Sequence, residues 1–268
     1  MGKYMTDDQI KKAKEELEIV YAMPYATTLV GPAWEQILAD LKGGMQRSGG
    51  KGDSDRWLRD NRAKPDIIVF RDGDEVNYSL KTEALRTTKA RPRAADFLGY
   101  HEDIIVARPK VDDLLGDRAI NTLTPDELGA LVLRYYHEQI VVRYQWHVIA
   151  FLLRLETHTP YEFIYWDEQP PTVYDPNDYW WKDSGKATGT NRNVNGYPRT
   201  VSPDITPLPA AKFKFTSGGK QFYVRYIIPL DADTWTIPKA SLTEQEVREA
   251  LRVLLRREKR TSGDEAVT

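Results

Sequence analysis

The chain has 268 residues, of which 41% are hydrophobic and 29% charged, with a formal net charge of −2. These values suit one large globular domain or two small ones with ample core, and they exclude a disordered chain. Cysteine is absent, which removes disulfides, thiolate zinc sites and a cysteine nucleophile and fits a reducing cytoplasm. The opening stretch Met1 to Leu17 is polar and charged, so it does not read as a signal peptide. The most apolar run, Val148 to Leu155, is too short to span a bilayer and contains Arg154, so no membrane association is expected.

In chain order, residues 6–21 read as a polar helix with Thr6 or Asp7 as its N-cap. A second helix runs from Pro32 to Leu41. Gly31-Pro32 opens it, Gly43-Gly44 closes it, and Trp34, Ile37, Leu38 and Leu41 recur at helical spacing. Residues 45–62 are glycine-rich and charged and read as a mobile loop. Ile67 to Phe70 is a short apolar strand, Arg71-Asp72-Gly73-Asp74 a hairpin turn, and Val76 to Thr82 an alternating strand. A basic stretch over 84–93 leads to a short helix at Ala94 to Tyr100 and a strand at Asp103 to Ala107. Thr124-Pro125-Asp126-Glu127 is a helix start with a capping box, and a long helix, with an interruption allowed, is predicted to reach about Leu155. Glu162 to Trp166 reads as a strand. Residues 167–210, rich in Pro, Gly, Asn, Asp and aromatics, read as a long ordered excursion, and Lys212 to Ile228 as a hairpin turning at Ser217 to Lys220. A last helix starts near Ser241 or Thr243 and ends in the basic run Arg256 to Arg260. The fold class expected is α/β: a mixed central sheet flanked by helices, with an inserted β-rich, aromatic region at about 161–237. The core lies at about 31–110, with helices at about 125–155 and 242–260.

The segment that points to chemistry is Pro65-Asp66 followed by Ser79-Leu80-Lys81. Asp66 begins one strand. Val76, Tyr78 and Leu80 share one face of the next strand, and Asn77, Ser79 and Lys81 the other. The tight turn folds this strand back beside the first, so a carboxylate, an ammonium and a hydroxyl can converge. That trio suits phosphodiester hydrolysis. A carboxylate holds a hard divalent cation, which polarises a phosphoryl oxygen and acidifies a bound water, while a lysine orients the water or offsets developing charge. The alternative is a surface hairpin in which Lys81 is solvated and Asp66 merely caps a strand.

The pattern Pro-Asp, hairpin spacer, acid-any-Lys resembles the PD-(D/E)XK nuclease superfamily, over roughly residues 31–110. Ser79 stands where the second acid usually is; some type II restriction endonucleases carry a serine there. By this resemblance the backbone carbonyl of Leu80 is a metal ligand beside Asp66, and Glu83, on the Lys81 face, can supply the missing carboxylate. The helix opened by Gly31-Pro32-Ala33-Trp34-Glu35 resembles one that offers a glutamate to the metal, with Glu35 the matching acid. The resemblance implies Mg²⁺ as cofactor, with Mn²⁺ as substitute, double-stranded DNA as substrate, a restriction-endonuclease-like fold, and a homodimer matched to a palindromic site.

Arg86, Lys89, Arg91 and Arg93 follow the motif and would neutralise phosphates. In the stretch from Trp180 to Gly196, Lys182, Lys186, Asn191, Arg192, Asn193 and Asn195 combine the side chains that hold phosphates and read guanine and adenine, and Lys220 with Lys212, Lys214 and Arg225 extends the basic surface. The competing reading of this stretch is a turn-rich connector. His101, His137, His147 and His158 lack zinc spacing, and Gly185-Lys186 and Gly219-Lys220 lack the rest of a phosphate-binding loop, so neither zinc nor ATP is expected. The leading expectation is a type II restriction endonuclease. Its competitors are a repair or junction nuclease of the same superfamily, a DNA-binding protein without cleavage, and a globular protein unrelated to DNA.

Overall fold

The computed structural model describes residues 4–22, 31–46, 66–116, 118–142, 145–155, 160–185 and 191–238, with 245, 246 and 249 beyond them. Helix α1 (Asp7–Ala22) starts where Thr6 and Gln9 cap one another, the Gln9 amide donating to Thr6 Oγ1 at 3.2 Å and the Thr6 amide to Gln9 Oε1 at 2.9 Å. Helix α2 (Gly31–Lys42) buries Trp34, Ile37, Leu38 and Leu41, the four positions its spacing selects. Strand β1 (Gly44–Gln46) occupies the start of the stretch expected to be a loop; residues 47–62 lie outside the described residues.

Two strands, β2 (Ile67–Arg71) and β3 (Asp74–Leu85), form the expected hairpin. Asp72 and Gly73 both take positive φ, 52° and 91°, the backbone a two-residue turn demands and the reason an Asp-Gly pair stands there. Beyond them come β4 (His101–Ala107), a short α3 (Val111–Leu115) and α4 (Pro125–Arg134). The α4 capping box is present: Thr124 Oγ1 accepts from the Glu127 amide at 3.2 Å and Glu127 Oε2 from the Thr124 amide at 2.6 Å.

The helix expected to reach Leu155 does not. It passes into a wider turn at Tyr135–Val142, and Val148–Leu155 is strand β5. Every residue of β5 is buried, because it lies in the middle of a sheet covered on both faces and pairs in parallel with β3. A continuous apolar run of eight residues carries no period that separates a buried strand from a buried helix.

The remaining strands are β6 (Tyr161–Glu168), β7 (Tyr179–Asp183), β8 (Asn193–Pro198), β9 (Phe213–Thr216), β10 (Gln221–Ile227) and β11 (Asp233–Ile237). They build a mixed α/β protein with two sheets. One has the order β1-β2-β3-β5-β6-β11, the other β4-β10-β9-β8-β7. The region from 161 to 237 is therefore not a separate insertion: β6 and β11 complete the central sheet, and β4 joins the second. One face of the six-stranded sheet packs on α1 and α2 through Val69, Tyr78, Ala150, Leu152 and Tyr165. The other packs on the second sheet and α4 through Ile149, Phe151, Leu153 and Trp166, so helices cover one face and a sheet most of the other. The expected C-terminal helix lies almost wholly outside the described residues. No described helix is long and apolar enough to cross a membrane.

Where α4 meets β7, Trp181 lies flat on Gly129, and a Cβ built on that glycine would stand 2.1 Å from Trp181 Cδ2. The indole is buried and stacks on Phe213 at 5.7 Å, so it has nowhere to retreat. Gly129→Ala is expected to cost about 1–3 kcal/mol by overpacking. A lower urea midpoint at unchanged m-value would register that loss; an unchanged midpoint would mean this helix–sheet contact is loose.

Candidate active site

The hairpin sets the site. Its register places Arg71 opposite Asp74 and Ile67 opposite Tyr78, and the amide of Asp66 also donates to the Tyr78 carbonyl at 2.8 Å. Residues 66 and 67 thus both face Tyr78, as in a β-bulge, which re-aims the side chain at the end of the strand. Asp66 Oδ2 accepts the Leu80 amide at 2.5 Å, and the Ser79 hydroxyl lies at 3.4 Å. The carboxylate is thereby fixed to the backbone of β3.

Alternation along β3 then sorts its side chains. Tyr78 enters the core under the helices with Val76 and Leu80 beside it, and Asn77, Ser79 and Lys81 point to the other layer. Ser79 is only 1% exposed. Lys81 is half-buried, its Nζ 4.7 Å above the ring of Trp146. Trp146 is buried, and its amide donates to the Val141 carbonyl at 3.0 Å. Next to it, His147 exchanges hydrogen bonds with Asn77: its amide donates to the Asn77 carbonyl at 2.9 Å, and its Nδ1 accepts the Asn77 amide at 3.0 Å.

Burial pushes the Asp66 carboxyl up, opposed by the Lys81 ammonium and the donors from Leu80 and Ser79. Burial pushes Lys81 down, opposed by Asp66 and Glu83 and reinforced by Arg108. The two groups sense one another's charge in a poorly solvated corner, and each is displaced toward its neutral form. Opposed shifts on paired groups are a signature of functional sites more often than of solvated surface. Glu83 lies two residues beyond Lys81 on the same face. Burial raises its pKa, while the Ile105 amide of β4, Arg108 and Lys81 lower it. Its carboxylate is therefore tied to the edge of the second sheet.

Asp66, Ser79, Leu80 and Lys81 are brought together as the sequence predicts, with Glu83 adjoining. Glu35 sits half-buried on α2, which packs on the Tyr78 side of the sheet. Among the described residues no three His, Asp or Glu side chains cluster so as to hold a metal ion. The donor set, one desolvated carboxylate with a strand carbonyl beside it, fits a hard divalent ion that keeps most of its water or takes oxygens from substrate. It does not fit an ion caged by protein alone. Trp146 and Arg108 were missed in the sequence: Trp146 falls inside the stretch read as helix, and Arg108 follows a strand with no motif around it.

The basic stretch is partly committed to the fold. Arg93 Nε reaches Glu162 at 2.5 Å, and the Arg91 guanidinium stacks 4.5 Å from Tyr100 and 5.3 Å from Phe97. Arg86 and Lys89 are exposed. In the second region Lys182, Asn191, Asn193 and Lys220 are exposed and Asn195 is half-buried; Lys186 lies outside the described residues.

Arg192 requires correction. It is 8% exposed, its fork grips Asp183 at 2.6 and 3.0 Å, and Nη1 donates to the carbonyls of Ile120 at 3.1 Å and Leu123 at 2.5 Å. An arginine so engaged ties β7 and the start of β8 to the segment before α4, and its guanidinium is committed to the fold. The bidentate geometry that suits guanine suits a carboxylate equally well.

Comparisons of the chain with family models, with curated proteins and with solved structures find no match.

Proposed function

We propose that this protein is a metal-dependent nuclease that hydrolyses phosphodiester bonds in double-stranded DNA, acting as a type II restriction endonuclease with a restriction-endonuclease-like core. The reading rests on one observation: Asp66 and Lys81, displaced in opposite directions by burial, share a corner fixed by the Leu80 amide. Asp66 and the Leu80 carbonyl would hold Mg²⁺, or Mn²⁺ in its place, whose chemistry there is to polarise the phosphate and lower the pKa of water. Lys81, steadied by the Trp146 ring, orients the attacking water and offsets charge gathering on the phosphate. Ser79 donates toward Asp66 and keeps the carboxylate aimed. Glu83, tied to β4 through the Ile105 amide, helps hold the ammonium in place. A homodimer would place two such corners on the two strands of a palindromic site.

A second reading, a DNA-binding protein that does not cleave, is favoured by the buried Ser79 in place of an acid and by the lack of a three-acid cluster among the described residues. Incubating the protein with plasmid DNA and Mg²⁺ or Mn²⁺ decides between them. Discrete bands are expected. A smear would point to a nuclease without site recognition. Intact plasmid with both ions, together with a gel shift, would establish the second reading.

A further inference from the structure

The second sheet has two faces. One, carrying Val194, Phe213, Phe215, Phe222 and Val224, is buried against the central sheet and α4. The other carries polar and aromatic side chains, the stacked pair Trp180–Tyr197 among them, and its register forms a continuous cross-strand row. Lys182 pairs with Asn195, Asn195 with Lys214, Lys214 with Tyr223 and Tyr223 with Ile105. Four strand spacings separate the ends of this row, about 19 Å. Beside it, Asn193 faces Thr216 and Thr216 faces Gln221.

Three cations stand on this face, Lys182, Lys214 and Arg225. Asp103 is shared by two of them, Arg225 gripping it at 2.7 and 3.1 Å and Lys214 also reaching it, and Glu102 adds a second negative charge near Arg225, so three cations face two carboxylates. The chain as a whole carries −2, so a face with excess positive charge is a local departure from the average. The row also leads somewhere. Ile105, at its end, gives its amide to Glu83, which stands two residues from Lys81 on one face of β3, and the Tyr223 hydroxyl senses the charges of Glu83 and Arg108.

We infer that the outer face of the five-stranded sheet is the surface on which duplex DNA lies, with the Lys182–Asn195–Lys214–Tyr223 row conducting its backbone toward the Asp66–Lys81 corner. This rests on the nuclease reading for its destination, and on charge complementarity and strand register for its path. The lysines take phosphates, and Arg225, gripping Asp103, holds the shared carboxylate in place. Asn193 and Asn195, side by side with them, present amides of the kind that meets base edges.

The test is binding of a fluorescently labelled duplex of random sequence, read by anisotropy in EDTA, so that no cleavage occurs. Lys182→Gln with Lys214→Gln is expected to weaken binding about tenfold and to lower the slope of log affinity against log salt by about two. Because Lys214 also touches Asp103, Lys182→Gln alone, at an exposed position, is the safeguard against misfolding; about threefold loss and a slope change near one are expected. Lys11→Gln on α1, which packs on the helix-covered side of the other sheet, serves as control. Unchanged binding in the Lys182 variants, or an equal loss in the Lys11 control, overturns the inference. Row-dependent binding by a protein that never cuts would sink the nuclease reading and leave this surface standing. Cleavage with row-independent binding would do the reverse.

Discussion

Asp66→Asn and Lys81→Met are each expected to reduce Mg²⁺-dependent cleavage by a factor of about a thousand or more while leaving the fold and DNA binding in place. Asparagine is the informative replacement at 66. It keeps an oxygen to accept the Leu80 amide, bonded at 2.5 Å, and so preserves the end of the hairpin while removing the charge. Alanine would also leave a poorly solvated amide without its partner, mixing a stability loss of about 1–3 kcal/mol into the result. At 81, methionine keeps the aliphatic stem over Trp146 and deletes only the ammonium. The signs of the two pKa shifts add a second readout. Asp66 is raised, so its favourable contribution is present at low pH and is lost as pH rises through its folded pKa. Lys81 is lowered, so its favourable contribution is present at high pH and is lost as pH falls through its folded pKa. Burial disfavours the ionised form of each group, so the ion pair carries a desolvation cost that its mutual attraction opposes. The double variant Asp66→Asn/Lys81→Met is therefore expected to melt no lower than the parent, whereas each single variant, leaving one charge unpaired, melts lower. Initial rates on a duplex substrate, paired with thermal melts, check both. Cutting retained by either single variant would end the assignment.

The hairpin at the centre of that prediction was legible in the sequence for local reasons. Asp72-Gly73 specifies a tight turn, strict alternation over Val76 to Lys81 specifies faces, and neither depends on the rest of the chain. Helices α1, α2 and the start of α4 were legible likewise, from the caps at Thr6 and Thr124 and the spacing around Trp34. What escaped was whatever depends on contacts distant in sequence. Strand β5 pairs in parallel with β3 across some 70 residues, and its continuous burial erases the alternation that would have announced it. The division into two sheets escaped for the same reason: β4 joins β10, more than 100 residues later, and nothing near His101 to Ala107 signals that partner. The site inherits this limit. Trp146 meets Lys81, and Ile105 meets Glu83, only because β5 and β4 come home to those places.

Arg192 makes the same point with a measurable consequence. From composition alone it belongs with the lysines and asparagines of a ligand-binding stretch; in the fold it is a buried clamp. Arg192→Ala is expected to destabilise the protein by about 2–4 kcal/mol. The lost guanidinium leaves two carbonyls, those of Ile120 and Leu123, without their donors and frees the Asp183 carboxylate. Asp183 is 46% exposed, so water re-solvates it and the carbonyls carry most of the loss. Arg192→Lys is expected to fare nearly as badly, since a single ammonium cannot bridge Asp183 and both carbonyls at once. Urea denaturation gives the first number, and anisotropy with labelled duplex, well below the unfolding midpoint, gives the second. A large drop in midpoint with affinity changed less than about twofold is the expected pattern. Full stability with lost DNA affinity would return Arg192 to the surface and overturn the packing of β7 and β8 against the start of α4.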